Sequence, residues 1–301
     1  MGFRTLEISS ACEIHIKEGQ LEITSENGVA LIPIEDLNQI MMHGANIRLS
    51  TMDLSILSQN KVSVMTLDEK YLPTAIVLPF EGHTRQSKLM HAQISTYEEL
   101  YLDLWIQIIR QKISNQSRAL SIMGMSGAEN VSKYLDDISK ENVDITEALA
   151  AKDYFAYYHE GLNRRGDDPI NSRLNYGYAV VRSSIARSLV AAGFHPTFGI
   201  HHDSQLNAFN LADDLIEPYR AIVDIVAHDN IGSNVQLSKN ERRAIAHVLH
   251  NACMMDGAKV NVMSAIDMMV ESLKRIILDK SNEKLMLPVI LPVESLEGIT
   301  E

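Results

Sequence analysis

Hydrophobic and polar positions alternate with a period of two in the first 80 residues, a pattern typical of β-strands with one buried face. The alternation is clearest in three runs, at residues 4–8, 13–17 and 20–24. Asn27-Gly28 follows the third run, and this dipeptide is typical of tight hairpin turns. Residues 51–59 instead carry apolar side chains at helical spacing. The pattern predicts a small β-sandwich or curled sheet that carries one short helix.

Beyond residue 80 the apolar residues recur at the spacing typical of amphipathic helices. A polar stretch begins there, and we expect a linker over residues 81–95. Helical patterns cover residues 100–113, 116–124, 128–139, 145–160, 172–192, 210–217, 240–256 and 261–279. The tail after residue 281 has two prolines in an apolar stretch, and we expect it to pack loosely or to mediate a contact. We predict an α+β protein, with an N-terminal β-sandwich-like domain over residues 1–80 and a mainly α-helical domain over residues 96–301.

The composition is that of a soluble globular protein, with 46% hydrophobic and 22% charged residues. The chain has two cysteines and no C-x-x-C pair, so neither a disulfide scaffold nor a thiolate zinc site is indicated. No targeting segment is visible, and the most apolar runs are too short and too rich in proline to span a bilayer. We therefore expect a cytoplasmic protein with no membrane association.

The net charge of −12 argues against nucleic acid as a partner, because proteins that bind phosphate backbones are usually basic. One segment differs from this average, since residues 161–187 contain five arginines and only two acids. The five are Arg164, Arg165, Arg173, Arg182 and Arg187. These side chains could contact DNA phosphates, although a solvated helix face is the commoner role for any one of them.

The segment from Gly199 to Arg220, GIHHDSQLNAFNLADDLIEPYR, combines two adjacent histidines with several carboxylates. Asp214 and Glu217 are three residues apart on a predicted helix, so their carboxylates share one face. Pro218 marks the end of that helix, where Glu217 can project into a cleft. A solvated acidic face is the usual explanation for such a pair, but two like charges at this spacing also favour a metal ion or an arginine between them.

Two further residue sets could complete a site. His201 and His202 lie in a predicted extended segment, where adjacent side chains point in opposite directions, so one of the two can face the carboxylates. Glu147 begins a predicted helix, and Asp144-x-x-Glu147 is also a capping-box pattern. Spacing alone does not distinguish a helix cap from a metal ligand at Glu147.

Two carboxylates and one imidazole form a hard donor set, which suits Mg²⁺ or Mn²⁺ better than Zn²⁺ or Cu²⁺. An ion of that kind can polarise a phosphodiester. The chain has no glycine-rich phosphate loop, no G-x-S-x-G and no H-E-x-x-H, which argues against P-loop nucleotide hydrolysis and serine hydrolysis. The residues thus favour a metal-dependent enzyme acting on phosphodiesters. A metal-dependent nucleotide phosphohydrolase and a non-catalytic dimeric scaffold that binds DNA or a partner remain the alternatives.

Three ordered motifs carry a resemblance to a known family. They read ITEALAAKDYF, RRGDDPINSRLNYGYAVVRSSIARSLVAAGFHPTFGIHH and NAFNLADDLIEPYRAIVD. With the β-rich start, they make the chain similar to the CRISPR-associated integrases, the universal adaptation nucleases of CRISPR systems, in their shorter type II-like form. The resemblance spans nearly the whole chain.

The resemblance implies an N-terminal β-sandwich that forms a homodimer and an α-helical catalytic domain. Two such dimers would be bridged by a dimer of a small companion nuclease-like protein, and other type II adaptation proteins are further candidate partners. The complex would join the 3′-hydroxyls of short DNA duplexes to the CRISPR repeat by transesterification with Mg²⁺ or Mn²⁺. Family members also nick branched DNA and run the reverse reaction.

The resemblance further assigns roles to residues. The family's metal site falls on Glu147, His202 and Glu217, with Asp214 in a supporting role and His201 and Asp213 outside the ligand set. One departure lies beside the first ligand, where many relatives have glycine and this chain has Ala148. The acidic net charge is a second departure, which a basic surface supplied by a partner would offset.

Overall fold

The computed structural model of the chain describes residues 4–43, 46–67, 73–77, 86–164, 166–230, 232, 234–281 and 283–293. Eight strands make up its N-terminal part. They are β1 (Arg4–Ile8), β2 (Cys12–Lys17), β3 (Gln20–Ser25), β4 (Gly28–Pro33), β5 (Leu37–Met42), β6 (Ile47–Leu49), β7 (Ser63–Leu67) and β8 (Pro73–Val77). The predicted short helix is α1 (Thr51–Gln59), whose first turn is capped by Ser50 and Asp53 in a capping box.

The strands form two four-stranded sheets. One has the order β4-β3-β2-β6, and the other has the order β1-β5-β7-β8 with β1, β5 and β7 parallel. The turn at Gly28, with a φ of 119°, joins β3 and β4 as the Asn-Gly dipeptide predicts. Ile14 and Leu21 of the first sheet share a buried core with Ile40 and Val64 of the second. The predicted sandwich is confirmed.

The second sheet has an apolar opposite face that packs on the helices. Met41 and Met65 belong to the core of the helical part rather than to the core of the sandwich. An ion pair of 2.7 Å between Arg242 Nε and Glu7 Oε1 also ties the two parts together. This sheet is therefore the middle layer between two hydrophobic cores.

The remaining chain is mainly helical, which confirms the α+β class. Its helices are α2 (Gln86–Ile94), α3 (Glu98–Ile122), α4 (Ala128–Ser132), α5 (Tyr134–Asp137), α6 (Val143–Tyr158), α7 (Pro169–Ala192), α8 (Asn210–Leu215), α9 (Arg220–Asp229), α10 (Lys239–Ala246) and α11 (Val262–Asp279). Three short strands complete it: β9 (Ala252–Met255), β10 (Ala258–Asn261) and β11 (Val289–Ile290). Within the described ranges, no helix has the length and apolar character needed to cross a membrane.

Two sequence expectations differ from the observed elements, and for the tail one of two expected alternatives is observed. The predicted linker contains helix α2, so residues 86–94 are regular structure, and the division into domains stays a prediction. The predicted helix over 240–256 is instead α10, a 3-10 turn and β9. Asp256-Gly257 forms a tight hairpin turn with both φ angles positive, which joins β9 to β10. The described part of the tail, for which we expect loose packing or a contact, contributes β11, which pairs with β9.

Candidate metal centre

Two of the predicted ligands, Glu147 and Glu217, lie on either side of a buried lysine. Glu147 is on α6, and Glu217 begins the 3-10 turn Glu217–Tyr219 that follows α8. Lys112 of α3 forms an ion pair with Glu147 and places its Nζ 2.6 Å from Glu217 Oε2. The side chain of Lys112 is only 8% exposed and that of Glu217 only 7%. Tertiary packing thus brings together two carboxylates that are far apart in the sequence.

The long helix α3 determines where Glu217 lies. Pro218 is the second residue of the 3-10 turn Glu217–Tyr219. An N–H at the start of a helical turn has no partner within that turn, so the missing N–H of proline costs no hydrogen bond. Asn115, three residues after Lys112 on α3, donates a 2.7 Å hydrogen bond to the carbonyl of Pro218. The same side chain donates a 2.9 Å hydrogen bond to the carbonyl of Pro288. Helix α3 therefore supplies both the cation that faces Glu217 and the amide that fixes its turn.

The charges around Glu217 keep it ionised. Burial opposes the charge on this carboxyl, but Arg220 and Lys112 outweigh it and lower the pKa of Glu217 to about 2. Arg220 Nε lies 2.8 Å from Glu217 Oε1. Burial likewise opposes the charge of Lys112, and Glu217 and Glu147 reverse that effect and raise the pKa of Lys112. The centre is a group of two acids and two cations, in which Lys112 and Glu217 are buried and Glu147 and Arg220 are partly exposed.

Arg220 itself rests on a buried tyrosine cluster. Its guanidinium carbon lies 4.7 Å from the ring centroid of Tyr178, and the Tyr178 hydroxyl donates to Asp224. Tyr154 donates a 2.8 Å hydrogen bond to the other oxygen of Asp224. Burial raises the pKa of Asp224 to about 6, although its tyrosine donors act in the opposite direction. These tyrosines are core residues, and Tyr178 packs directly against the guanidinium of Arg220.

Asp214 organises the histidine segment. Its buried carboxylate accepts hydrogen bonds from the backbone N–H groups of Ile200, His201 and His202, at 2.5, 3.1 and 3.1 Å. The same carboxylate lies 2.6 Å from Nδ1 of His202, and this hydrogen bond raises the pKa of the imidazole. A Cβ at position 199 would lie 2.2 Å from the carbonyl oxygen of His202, so Gly199 permits this close approach.

The two histidine rings both contact Trp105, so the expectation that they point in opposite directions is wrong. His201 stacks on Trp105 with ring centroids 4.2 Å apart, and its Nε2 lies 3.4 Å from Asp144 Oδ1. His202 meets Trp105 edge-on at 5.9 Å. Because Asp214 engages Nδ1 of His202, Nε2 is the nitrogen left for a ligand. The His202 side chain is 45% exposed, which opens this side of the centre to solvent.

The donor set fits a hard divalent ion, but Lys112 stands between its carboxylates. In the described part of the chain, no three His, Cys, Asp or Glu side chains converge on one point suited to a metal. Glu217 Oε2 is buried and ion-paired with Lys112, yet it makes no hydrogen bond of good geometry. Such an oxygen can accept a metal bond without losing a hydrogen bond. Histidines that bind a metal usually hydrogen-bond to a carboxylate through their other ring nitrogen, as His202 does to Asp214.

Two of the five arginines predicted to contact DNA are interior residues. Arg173 is 0% exposed and forms an ion pair with Glu241. Arg187 is 3% exposed, and its Nη2 lies 2.9 Å from Asp267 Oδ1. Both guanidiniums serve the packing of α7 against its neighbours. We correct the expectation for these two residues and leave them out of the proposed DNA surface.

Arg164 and Arg182 are closer to the surface. Arg164 hydrogen-bonds to Asn171 and lies 5.5 Å from the ring centroid of Phe155. Arg182 is 30% exposed and pairs with Asp213 at 2.5 Å. This pairing gives Asp213 a partner of its own, separate from the carboxylates that Lys112 joins. Arg165 lies outside the described residues.

Sequence reasoning did not find Lys112, although the chain carries a signal for it. Trp105, Ile108, Ile109 and Ile113 mark the buried face of α3, and Lys112 lies on that same face. A lysine at such a position requires buried acidic partners, because an unpaired ammonium in the interior is costly. This reasoning predicts that acids meet Lys112, but not which ones.

Comparison with known proteins places the chain in a family. The model of the family "CRISPR associated protein Cas1" matches residues 8–255. The CRISPR-associated endonuclease Cas1 of Neisseria meningitidis serogroup C is 31% identical over 299 residues, which cover 98% of each chain.

Solved structures agree in fold. A casposase bound to its integration product has a TM-score of 0.77 at 20% identity, covering 100% of this chain and 96% of the other. A Cas6-RT-Cas1–Cas2 complex has a TM-score of 0.74 at 19% identity, covering 96% of this chain and 36% of the other. The family match and the full-length relative together show that this chain belongs to the Cas1 family of CRISPR-associated proteins.

Proposed function

We propose that this chain is a CRISPR adaptation integrase and endonuclease, which joins the 3′-hydroxyl ends of short DNA spacers to the CRISPR repeat by metal-dependent transesterification. The observation that carries the proposal is the meeting of Glu147 and Glu217 on one buried cation, with the Asp214–His202 pair on the neighbouring segment. The Neisseria relative, named as an endonuclease, and the casposase bound to an integration product support the same chemistry.

The reaction exchanges one phosphodiester for another. The spacer's 3′-hydroxyl attacks a phosphorus of the repeat, and the bond from that phosphorus to the repeat's 3′ oxygen breaks. The hydroxyl proton leaves, and the released repeat strand gains one at its new 3′-hydroxyl. The number of phosphodiester bonds is unchanged, so neither water nor a nucleoside triphosphate is consumed.

Each residue of the centre has a distinct part in this proposal. Glu147, Glu217 and Nε2 of His202 would hold Mg²⁺ or Mn²⁺. When bound, the ion would polarise the scissile phosphodiester and offset the charge on the attacking and leaving oxygens. Asp214 orients the His202 ring through Nδ1 and so aims Nε2 outward. Arg220 holds Oε1 of Glu217, the oxygen that Lys112 does not contact.

The proposed partners are DNA, a second copy of this chain and a dimer of a small companion protein. The likeness to the Cas1 part of a Cas6-RT-Cas1–Cas2 complex supports a companion of the Cas2 kind. The net charge of −12 supports it as well, because DNA binding by an acidic chain gains from a basic surface on a partner. Dimerisation through the β-sandwich remains part of this proposal.

A strand-transfer assay tests the function. The protein, its companion, a fluorescent duplex with 3′-hydroxyl ends and a repeat-bearing plasmid are incubated with Mn²⁺. We expect labelled plasmid, and we expect none when EDTA is added or when the duplex ends in 3′-dideoxynucleotides. Retention of DNA without any metal-dependent product would favour the scaffold alternative. Turnover of mononucleotide esters in the absence of duplex would favour the phosphohydrolase.

Arg164 and Arg182 are the proposed phosphate contacts among the described arginines, and Arg165 remains a third. Replacing either Arg164 or Arg182 by alanine is expected to weaken DNA binding several-fold without changing sequence preference. The slope of log affinity against log salt should fall by about one for each phosphate that the variant no longer neutralises. Titration of labelled duplex at several salt concentrations measures both quantities. Arg275→Ala, an exposed change on α11, is the matched control, and an equal effect there would contradict the assignment.

A further inference from the structure

Lys112 touches both predicted carboxylate ligands. Its ammonium forms ion pairs with Glu147 of α6 and with Glu217 of the 3-10 turn, the latter at 2.6 Å. The Lys112 side chain is 8% exposed, so water contributes little to its solvation. Glu147 and Glu217 are therefore the groups that compensate its buried charge.

The local charges balance only while Lys112 stays in place. Lys112 and Arg220 carry two positive charges, and Glu147 and Glu217 carry two negative charges. Adding a divalent cation to this group would leave an excess of positive charge in a desolvated region, where repulsion is poorly screened. A metal ion and the Lys112 ammonium therefore compete for the same carboxylate oxygens.

The two cations differ in how easily they can leave. Arg220, whose side chain is 30% exposed, is held by Glu217 and by the face of Tyr178, so it has a second partner besides the carboxylate. Lys112 is a flexible chain with a point charge, and Glu147, at 26% exposure, forms its more open side. The His202 side chain is 45% exposed. Lys112 pairs with both carboxylates, whereas Arg220 pairs with Glu217, so the movement of Lys112 frees one oxygen of each predicted ligand.

We propose that Lys112 is a positioning residue, which holds Glu147 and Glu217 together as a built-in counter-ion and is displaced when a divalent metal binds. The proposal rests on the metal site described under the proposed function. Two consequences follow. Without a metal ion, Lys112 keeps the carboxylates of Glu147 and Glu217 close enough to bind the same ion. When a metal ion binds, the free energy spent on displacing Lys112 lowers the apparent affinity of the site for the metal.

The chain contains a built-in reporter for the test. Trp105 is the only tryptophan, and its ring lies 5.9 Å from the ring of His202. Mn²⁺ bound at the site would quench its fluorescence, and Mg²⁺ would compete without quenching. Titration of the full-length protein with Mn²⁺ therefore measures affinity without any DNA or turnover.

Two variants should change the Mn²⁺ affinity in opposite directions. Lys112→Met removes the competing charge while keeping the length of the side chain, so we expect Mn²⁺ to bind about tenfold more tightly or better. Lys112→Arg keeps the charge and can hold both carboxylates with a rigid fork, so we expect weaker binding than in the wild type. Misfolding would not produce opposite shifts.

A stability measurement completes the test. In EDTA, Lys112→Met should melt at a lower temperature than the wild type, because Glu147 and Glu217 lose their counter-ion, and Mn²⁺ should raise its melting temperature more than it raises that of the wild type. Equal Mn²⁺ affinity in wild type, Lys112→Met and Lys112→Arg would overturn the displacement while leaving the metal site intact. Absence of Mn²⁺ binding in all three proteins would overturn the metal site itself and the displacement with it.

Discussion

Glu147→Gln and His202→Ala are each expected to reduce strand transfer by more than about a hundredfold. Mutating a residue that merely hydrogen-bonds to a metal ligand already lowers metal affinity or activity by about 10- to 100-fold, and the loss of a ligand itself should cost more. Glutamine keeps the size of Glu147 but removes the charge that would hold a metal ion in the proposed site. Alanine at position 202 removes the imidazole that Asp214 orients. Rates of product formation at saturating Mn²⁺ measure the effect.

Both substitutions have matched controls in the same elements. His201→Ala removes the neighbouring imidazole, which stacks on Trp105 and lies outside the proposed ligand set, so we expect it to keep strand transfer within about tenfold of the wild type. Asp153→Asn changes a carboxylate on the same helix as Glu147, one that accepts a 2.7 Å hydrogen bond from Tyr134. A larger loss in His201→Ala than in His202→Ala would show that the histidine assignment is wrong.

Much of the fold follows from local patterns in the sequence. The change from a period of two to helical spacing separates sandwich from helices, and Asn27-Gly28 predicts the β3–β4 hairpin. The hairpin at Asp256-Gly257 carries the same kind of signal. Helical spacing obscures that signal, because the apolar residues before the turn continue the pattern of α10. Ala252–Met255 is a strand because it pairs with β10 and with β11. The second of these pairings depends on a distant segment.

The candidate site is less predictable, because its geometry is tertiary. Asp214 and Glu217 can be singled out by spacing, and the family resemblance selects His202 and Glu147. Neither source predicts Lys112, which is 35 positions from Glu147 and meets it only after α3 packs on α6. The same holds for Arg173 and Arg187, since nothing in a basic segment distinguishes an interior arginine from one at the surface.

Asp214→Ala is expected to lower the free energy of unfolding by about 3 kcal/mol or more, because each buried donor left without an acceptor costs about 1–3 kcal/mol. Asp214 is 0% exposed and accepts from three consecutive backbone N–H groups besides facing the ring of His202. Strand transfer should fall together with stability, since the same carboxylate orients Nδ1 of His202. Urea denaturation at constant pH measures the loss.

The adjacent acid provides a control that differs by one position. Asp213 pairs with Arg182 at a partly exposed site, where an ion pair contributes about 0–1 kcal/mol. Asp213→Ala should therefore unfold within about 1 kcal/mol of the wild type. Asp214→Asn keeps one acceptor oxygen and should fall between the wild type and Asp214→Ala in both stability and strand transfer. Of the two acids, Asp214 is the one whose carboxylate accepts hydrogen bonds from the backbone N–H groups of residues 200–202. Equal stability of the two alanine variants would therefore contradict this role of Asp214.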